Sequence, residues 1–349
     1  MKILVTGAAG TIGLAVIKSL LDEYKDFELS LFELPSTKNR RRLKKFSDKA
    51  KIIWGDIRRK EDIEYAVKGV DYVIHLAAII PPLADKNVKL AWEVNVEGTR
   101  NLLEGLRRYS PGAMVIYSSS VAVYGDRLSR PWIKVGDELR PSEGDYYAQT
   151  KIVAEDLIRS SGLKWTIFRV SAVFGVKNHK ISGLMFHMPL STPIEIITPE
   201  DAGRAFAKAV GKSSQLEGRI FNLGGGQSCR IIYKDFLERA FALYGLGPVK
   251  FPVTAFATKN FHCGFFEDSD ELEEILQFRR DSIDSYFKRL KERIRWYERM
   301  STQAVAPIVR FVLLMKSEPY RALLKGEIKK LRRFYGLERI GSDDKKFDN

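Results

Sequence analysis

Apolar and polar positions follow two different rhythms along most of the chain. Short β-branched runs predict strands, and the stretches between them, with apolar residues every three or four positions, predict amphipathic helices. The predicted strands are Lys2–Thr6, Glu28–Glu33, Lys51–Trp54, Tyr72–Leu76, Met114–Ser118, Trp165–Val170 and Ile220–Leu223, and the main predicted helices are Ile12–Tyr24, Asp62–Lys68, Trp92–Arg108 and Tyr146–Ser160. This alternation favours βαβ winding around a parallel sheet.

The strand that begins at Tyr72 is apolar almost throughout, which is typical of a strand covered on both faces. We therefore expect an α/β fold with a doubly wound parallel sheet. After Phe251 the pattern becomes irregular and then helical, with helices predicted at Glu271–Phe278 and Ile283–Tyr297, and Gly341–Asn349 is expected to be a frayed tail. A smaller C-terminal lobe and a helical extension should follow the sheet.

The composition narrows the class of protein. The chain has 349 residues, of which 45% are hydrophobic and 29% charged, and this globular balance excludes a disordered protein. Two cysteines, Cys229 and Cys263, are too few for a disulfide framework or a cysteine-rich zinc site, so we expect a reducing, cytoplasmic compartment and no metal. The N-terminus shows no export signal, and the apolar run Ala304–Met315 is too short to span a bilayer.

The formal net charge of +14 is concentrated in two places. From Asp281 to the end there are 17 Lys or Arg against 10 Asp or Glu, a net of +7, and a second basic cluster runs from Lys38 to Lys45. We interpret both as solvated helix faces. The alternative is contact with nucleic acid or an anionic membrane, because aromatic residues such as Trp296 and Tyr335 are interleaved with the C-terminal basic residues. For Ala304–Met315 we favour packing on the rest of the protein, since Pro307 and Arg310 interrupt its apolar face.

A glycine-rich turn connects the first predicted strand to the first helix, reading Thr6-Gly7-Ala8-Ala9-Gly10-Thr11-Ile12-Gly13. Such glycines allow a tight turn and a close approach of a pyrophosphate to the helix N-terminus. Glu33, at the end of the second strand, is placed to accept hydrogen bonds from ribose hydroxyls and to repel a 2′-phosphate. The turn therefore predicts NAD rather than NADP; the basic run Arg40–Arg42 is the counter-argument, and we place it several residues too late.

Tyr147 and Lys151 lie four residues apart in a predicted helix, on one face. A cation beside a phenol lowers its pKa from about 10 and makes it a better base. A serine at the end of a neighbouring strand can bind the substrate oxygen, and Ser118, Ser119 and Ser120 offer three.

Further segments follow in order along the chain: Gly55-Asp56-Ile57, His75-Leu76-Ala77-Ala78, Asn95-Val-Glu-Gly-Thr99, Ser118-Ser-Ser120 with Val123-Tyr124-Gly125, and Arg169-Val-Ser171-Ala-Val-Phe-Gly175. Together with the glycine turn and the Tyr-Lys pair they resemble the extended short-chain dehydrogenase/reductases, the NAD-dependent epimerase/dehydratase family. The resemblance runs from Met1 to about Gly226. It implies a Rossmann-type sheet and an NAD-dependent enzyme.

The resemblance also assigns roles to residues. Ser120, Tyr147, Lys151 and Asn95 are implied as catalytic. The implied cofactor-binding residues are Gly7, Gly10, Thr11, Ile12, Gly13, Glu33, Asp56, Ile57, Leu76, Ala77, Ala78, Asn95, Tyr147, Lys151 and Ser171. We expect residues 1–175 to form the NAD-binding domain, with the sheet completed by about 195–228, residues 176–194 and 229–300 to form the substrate lobe, and 301–349 a basic helical extension.

Departures from the family pattern narrow the reaction. Sugar-nucleotide dehydratases carry an Asp-Glu pair where this chain has Val121 and Ala122, so dehydration is not expected. Neither cysteine falls in the motif of epimerase-reductases, and neither His179 nor His187 has a matching metal partner. The segment from Gly175 to Asp201 is short and lacks the usual basic residue, which argues against a nucleotide-diphosphate clamp.

Three functions remain. The leading one is hydride transfer between NAD and a secondary alcohol or ketone of a sugar-like or small polar substrate. Sugar-nucleotide 4-epimerisation is the alternative within catalysis, and a cofactor-dependent protein that binds RNA or a membrane surface is the alternative from another class. We expect a homodimer built from Trp92–Arg108 and Tyr146–Ser160, and neither nucleic acid nor a membrane as a partner.

Overall fold

The structure, a computed structural model, describes residues 1–176 and 181–337. Its strands are β1 Lys2–Thr6, β2 Glu28–Glu33, β3 Lys51–Trp54, β4 Tyr72–His75, β5 Met114–Ser120, β6 Trp132–Ile133, β7 Lys164–Val170, β8 Ala172–Val173, β9 Pro193–Ile197, β10 Arg219–Leu223, β11 Arg230–Ile232 and β12 Phe265–Phe266. The predicted Gly341–Asn349 tail and His179 lie outside the described residues.

The helices alternate with these strands and dominate the last third of the chain. They are α1 Thr11–Glu23, α2 Thr37–Leu43, α3 Lys60–Ala66, α4 Leu83–Lys86, α5 Val88–Trp92, α6 Gly98–Tyr109, α7 Tyr146–Arg159, α8 Pro199–Lys208, α9 Ser213–Leu216, α10 Tyr233–Tyr244, α11 Asp270–Leu276, α12 Ile283–Arg293, α13 Trp296–Ala304, α14 Ala306–Met315, α15 Glu318–Lys325 and α16 Ile328–Tyr335. No helix among the described residues combines the length and the apolar character needed to cross a membrane.

Seven parallel strands form the central sheet in the order β10-β7-β5-β4-β1-β2-β3. All seven predicted strands are in it, with ends within two residues of the prediction, so the doubly wound α/β fold is confirmed. Successive strands are added on one side of β1 up to β3 and on its other side from β4 onward, so the topological switch point of the sheet lies between β1 and β4. In such sheets ligands bind outside the carboxyl ends of the strands at the switch point. Thr6 at the end of β1 is aligned with His75 at the end of β4.

The core has one layer on each face of the sheet. On one face α1 and α8 pack so closely that a Cβ on Gly203 would lie 2.6 Å from the Ala15 side chain. On the other face the layer includes Leu102 and Leu106 of α6 and Ile158 of α7, so the two predicted long helices lie on the same side. The site therefore forms at the rim of a sheet that is covered on both faces.

A second lobe has its own core around Phe186, Phe241 and Phe256. A three-stranded sheet in the order β11-β9-β8 borders it, so Pro193–Ile197 belongs to this small sheet and not to the central one. The C-terminal helices join the same core through Ala306 and Leu313 of α14.

Two predicted helices differ from the structure. The helix predicted at Ile283–Tyr297 ends at Arg293, because Ile294 adopts an extended backbone and packs against the second core; α13 then begins as a separate helix. The helix predicted at Trp92–Arg108 begins earlier, as α5, and passes through a π-helical turn at Glu93–Glu97 before α6. Such turns are common at functional sites, and this one carries Asn95.

Candidate active site

The glycine turn after β1 has backbone positions that only glycine can occupy without strain. Gly7 has a φ of +69°, and a Cβ there would lie 2.7 Å from the Ala77 backbone nitrogen. At Gly13 a Cβ would lie 2.5 Å from the Gly7 carbonyl oxygen. Gly10 is the N-cap of α1 and supplies no capping side chain. Thr11 and Gly13 thus lie in the first turn of a helix whose N-terminus faces the switch point, as a dinucleotide turn requires.

Glu33 closes over this turn. Its Oε2 accepts a hydrogen bond from the Ala9 backbone N–H at 2.8 Å, and its Oε1 accepts one from Asn39 Nδ2 at 3.1 Å. Burial raises the pKa of Glu33, while the backbone hydrogen bonds from Ala9 and Leu34 oppose the rise. The carboxyl group therefore lies at the glycine turn, where the sequence places it.

The basic run after β2 is closer to this turn than expected. Residues Thr37–Leu43 form α2, which turns back so that Arg42 donates a hydrogen bond to the Ala9 carbonyl oxygen at 2.9 Å. Arg42 therefore lies beside the glycine turn, although the run is expected to come too late to bind a 2′-phosphate. The N-cap Ser36, which accepts a hydrogen bond from Asn39 N, is the sequence signal that marks this helix.

The remaining expected cofactor residues follow β3, β4 and β7. Asp56 forms an ion pair of 2.6 Å with Arg58, whose hydrogen bonds lower the Asp56 pKa, and Ile57 is buried behind it. Leu76, Ala77 and Ala78 continue directly from β4, where the Leu76 N–H donates to the Thr6 carbonyl oxygen at 3.2 Å. These residues line up along the rim of the sheet on both sides of the glycine turn.

Ser171 has a polar atom without a partner. The residue directly follows β7 and is 5% exposed, and its Oγ makes no hydrogen bond with any described residue. A buried hydroxyl in this condition is costly unless a ligand satisfies it. The resemblance places Ser171 against the nicotinamide carboxamide, and an amide group supplies the donor and acceptor that this hydroxyl lacks.

The serine, tyrosine and lysine meet at the end of β5. Asp145 caps α7 by accepting a hydrogen bond from Ala148 N at 2.9 Å, which sets Tyr147 and Lys151 on one face of the helix. Ser120 is the last residue of β5, and its side chain lies close enough to Tyr147 to act on the pKa of that phenol. The structure therefore brings together the three residues that the sequence named.

Lys151 is almost completely buried beside the two tyrosine rings. Its Nζ donates a hydrogen bond to the Ser118 carbonyl oxygen at 2.7 Å and lies 4.7 Å from the centre of the Tyr117 ring and 5.8 Å from that of Tyr147. Burial lowers the pKa of Lys151 to about 7, and Glu155 partly offsets this. Burial also raises the pKa of Tyr147 above 10, and the nearby Ser120 side chain partly offsets this rise. The protein side chains alone thus keep the phenol protonated.

Asn95 lies behind α7, and both polar atoms of its side-chain amide form hydrogen bonds. Its Oδ1 accepts from the Ile79 N–H at 2.7 Å, and its Nδ2 donates to the Ile79 carbonyl oxygen at 3.0 Å and to Thr150 Oγ1 at 2.9 Å. Thr150 in turn donates to the Tyr147 carbonyl oxygen at 2.7 Å. These bonds join the chain after β4 to the first turn of α7, so Asn95 positions the tyrosine.

His75 is a buried residue whose role the sequence did not define. Its Nδ1 is 2.7 Å from Thr6 Oγ1 and its Nε2 is 3.0 Å from Thr99 Oγ1. Because Thr99 donates its hydroxyl hydrogen to the Asn95 carbonyl oxygen, it accepts from His75, and this assigns the ring proton to Nε2. Burial lowers the His75 pKa to about 3, and Lys151 adds to the effect. The ring is a neutral link between β1, β4 and the π-helical turn.

An ion pair fixes the other end of the catalytic helix. Glu155, one turn after Lys151, binds Arg169 of β7 at 2.7 Å, and both side chains are at most 4% exposed. Ser119 donates a second hydrogen bond to Glu155 at 2.5 Å, and Arg169 also donates to the Tyr124 hydroxyl at 2.9 Å. No local pattern in the sequence signals this pair, because its members are 14 residues apart and lie on different elements.

Two histidine–carboxylate contacts lie at the starts of α7 and α15. His262 Nδ1 lies 2.9 Å from an oxygen of Asp145, and His187 Nε2 lies 3.2 Å from an oxygen of Glu318. The hydrogen bond from His187 lowers the pKa of Glu318 to about 2. His187 also contacts the Phe334 ring, which fits a packing role. No group of three or more His, Cys, Asp or Glu able to hold a metal ion occurs among residues 1–176 and 181–337.

The strand β9, which belongs to the segment that would hold a nucleotide diphosphate, carries no cation. All five of its residues are buried, and its charged member, Glu195, accepts hydrogen bonds from several N–H groups, including Arg230 Nε at 2.9 Å and Gly226 N at 3.0 Å. Arg230, on the paired strand β11, is held by Glu195 and by the Phe266 carbonyl oxygen at 2.6 Å.

Comparison with known proteins settles the family. The profile of the NAD dependent epimerase/dehydratase family matches residues 3–224, nearly two thirds of the chain. The chain belongs to this family. Membership confirms the resemblance to the NAD-dependent epimerase/dehydratase family, the extended short-chain dehydrogenase/reductases, that was drawn from the motifs.

Members of the family with different activities share this similarity. A 3-beta-hydroxysteroid dehydrogenase of Mycolicibacterium neoaurum is 28% identical over 211 residues, 56% of this chain and 54% of that protein. A putative UDP-glucose 4-epimerase of Methanocaldococcus jannaschii is 32% identical over 179 residues, 50% of this chain and 56% of that protein. A D-erythronate dehydrogenase of Cupriavidus necator is 26% identical over 254 residues, 64% of this chain and 77% of that protein. The matched region spans about half the length of the first two relatives.

Solved structures of the family share the fold. The UDP-glucuronic acid 4-epimerase of Bacillus cereus superimposes with a TM-score of 0.70 at 20% identity, covering 84% of this chain and 99% of that one. The dTDP-glucose 4,6-dehydratase of Bacillus anthracis gives a TM-score of 0.69 at 21% identity, covering 85% and 96%. Both similarities extend past the profile match into the second lobe.

Proposed function

We propose that the protein is a cytoplasmic NAD-dependent dehydrogenase that interconverts a secondary alcohol and a ketone on a sugar-like or other small polar substrate. The observation that carries the proposal is the meeting of Ser120, Tyr147 and Lys151 at the carboxyl end of β5. The cysteines Cys229 and Cys263 are buried free thiols, which supports a reducing compartment.

The residues at the switch point fit NAD. Gly7 and Gly13 leave room for a pyrophosphate at the start of α1, Glu33 lies where the adenosine ribose would bind, and the Ser171 hydroxyl lacks a partner that the carboxamide would supply. When bound, NAD would take a hydride from the substrate carbon or return it.

The chain's own residues handle the proton. In reduction, the Tyr147 hydroxyl gives its proton to the substrate oxygen, and its raised pKa keeps that proton available at neutral pH. In oxidation the phenolate form of Tyr147, which a positive charge on Lys151 beside the ring stabilises, accepts the proton of the substrate hydroxyl. Ser120 orients the substrate oxygen and stabilises its charge by a hydrogen bond.

Epimerisation of a sugar nucleotide is the alternative, and a relative named as a putative UDP-glucose 4-epimerase supports it. We favour the dehydrogenase for two reasons. The buried β9, with Glu195 saturated, offers no cation for a diphosphate, and relatives named as dehydrogenases of a hydroxysteroid and of D-erythronate oxidise alcohols without a nucleotide handle.

The experiment incubates the purified protein with NAD and a panel of uronic acids, sugar nucleotides, hydroxyketones and hydroxysteroids, and follows NADH absorbance. A dehydrogenase accumulates NADH with its substrate, whereas an epimerase converts a sugar nucleotide without net NADH. NAD binding without turnover of any compound would favour the third function, a cofactor-dependent binding protein.

Variants then test the three residues. Tyr147→Phe should abolish turnover and leave NAD affinity nearly unchanged, whereas Lys151→Ala should lower both because the lysine also binds ribose hydroxyls by the family resemblance. Tyr146→Phe, at the exposed neighbouring residue, is the matched control and should keep activity. Substantial turnover by Tyr147→Phe would remove the phenol from the mechanism.

We also propose a homodimer in which α5, α6 and α7 pair with those of a second copy. Trp92 and Tyr146, on two of these helices, are 41% and 43% exposed, and large side chains of this kind favour a self-complementary face. Light scattering should give a mass near 80 kDa at micromolar concentration. A mass near that of the 39.8 kDa chain would contradict the dimer.

A further inference from the structure

Exposed apolar side chains concentrate in the C-terminal helices. Of the 21 large hydrophobic residues that are exposed in the described part of the chain, ten lie between Trp296 and Ile328. This segment is about a tenth of the sequence and holds almost half of these residues, so chance scatter over the surface does not account for it.

The exposed residues of α14 lie on one helical face. Ile308, Phe311, Val312 and Met315 have the spacing i, i+3, i+4, i+7, and the first two are 65% and 63% exposed. We call these four residues the C-terminal apolar face. The opposite side of α14 packs in the second core through Leu313. A helix that is apolar on both sides needs a second apolar environment.

This environment is not a membrane interior that α14 crosses. Its ten residues are about 15 Å long, half the thickness of the hydrocarbon layer. Such a helix can lie in the interface plane with one side among the headgroups and upper acyl chains. The other side of α14 stays in the protein core.

Exposed basic residues follow the C-terminal apolar face closely in the chain. Lys316 directly follows α14, and Arg321, Lys325 and Lys329 follow on α15 and α16. All four are exposed, and none forms an ion pair within 4 Å with a carboxylate of residues 1–176 or 181–337. A second copy related by a two-fold axis would bring these like charges together, whereas an anionic surface complements them.

We propose that the protein docks on an anionic lipid bilayer through the C-terminal apolar face, with the neighbouring lysines and arginine against the headgroups. Trp296, Met300, Leu324 and Ile328, exposed on the adjoining helices, enlarge the apolar contact. The sequence favoured packing of this segment on the protein, and the structure shows that packing uses only one side. The proposal does not depend on the substrate or on the reaction.

The experiment is cosedimentation of the full chain with vesicles of phosphatidylcholine alone and of phosphatidylcholine with about a third phosphatidylglycerol, at 0.15 and 0.5 M NaCl. Because each basic residue near an anionic surface strengthens binding by roughly fivefold, we expect at least tenfold tighter binding to the anionic vesicles at the lower salt. Binding should weaken at 0.5 M NaCl.

Two pairs of variants separate the apolar and the charge contributions. Ile308→Ser with Phe311→Ser should abolish binding, whereas Tyr65→Ser, at an exposed residue of α3, should not change it. Lys325→Gln with Lys329→Gln should weaken binding to anionic vesicles at least tenfold, whereas Lys18→Gln, on α1, should have little effect.

Three results would overturn the proposal. The first is no binding to anionic vesicles at 0.15 M NaCl. The second is equal loss of binding in the variants and in their controls. The third is self-association of the unaltered chain without binding to vesicles, if Ile308→Ser with Phe311→Ser removes that self-association. This result would assign the C-terminal apolar face to contact with a second copy of the chain.

Discussion

The ion pair between Glu155 and Arg169 is the contact whose removal should most affect the placement of the catalytic helix. Glu155→Gln keeps the size of the side chain but removes its charge, and it leaves the Arg169 guanidinium buried without a counter-charge. Glu155 lies one turn after Lys151, so the pair ties the active face of α7 to β7.

The cost follows from the burial of the pair. Removing one partner of a buried ion pair costs about 3–5 kcal/mol, and since Arg169 keeps its hydrogen bonds to the Tyr124 hydroxyl and the Val135 carbonyl oxygen, we expect the lower end. The entropy of unfolding, about 2.1 cal/mol/K per residue, amounts to about 0.7 kcal/mol/K for a chain of 349 residues. The melting temperature should therefore fall by about 4–5 °C.

Scanning calorimetry at pH 7 measures this change. The matched control is Asp156→Asn on the same helix, whose ion pair with Arg159 is more than half exposed on both sides, and it should lower the melting temperature by less than about 1 °C. Replacing both Glu155 and Arg169 by Met removes both charges and should recover most of the loss. The reasoning would be refuted if Glu155→Gln lowered the melting temperature no more than Asp156→Asn does. It would also be refuted if the variant with Met at both positions were less stable than Glu155→Gln.

Three further predictions concern the cofactor turn and the lysine. The pKa of Lys151 is about 7 in the folded protein and 10.5 when unperturbed, so between these pH values the unfolded state binds more protons and the free energy of unfolding rises with pH. In urea unfolding from pH 7 to 9, Lys151→Met should remove this rise. An equal dependence of the unfolding free energy on pH in the variant and in the unaltered protein would contradict the prediction. Gly13→Ala places a Cβ 2.5 Å from the Gly7 carbonyl oxygen and should weaken NAD binding, measured by calorimetry, at least about tenfold. Gly112→Ala, whose Cβ would have no atom within 4 Å, should leave the affinity for NAD unchanged. Unchanged affinity in both variants would argue against binding of the pyrophosphate at the glycine turn. Glu33→Ala should narrow the preference for NAD over NADP, and tighter binding of NADP than of NAD to the unaltered protein would count against the role of this carboxylate.

Local pattern was enough to determine the sheet and its parallel winding. A strand covered on both faces is apolar along its whole length, and an amphipathic helix repeats every 3.6 residues, so both leave a signal in neighbouring positions. The glycine turn is also local, because the positive φ of Gly7 and the close packing of Gly13 both arise within one strand-to-helix connection. Ser120, Tyr147 and Lys151 could be named because each belongs to a short motif.

Tertiary structure alone decided the contacts between distant segments. The partner of Glu155 is on β7, and Arg42 reaches the glycine turn only because α2 folds back over it. The strands β6 and β12 have only two residues each and pair although more than 130 residues separate them in the chain. Strands this short produce no periodic signal in the sequence. Both sides of α14 carry apolar residues, and only the packing of Leu313 in the second core determines which side remains exposed. Hydrophobicity acts without direction, so the sequence specifies that a side chain prefers to leave water but not which neighbour covers it.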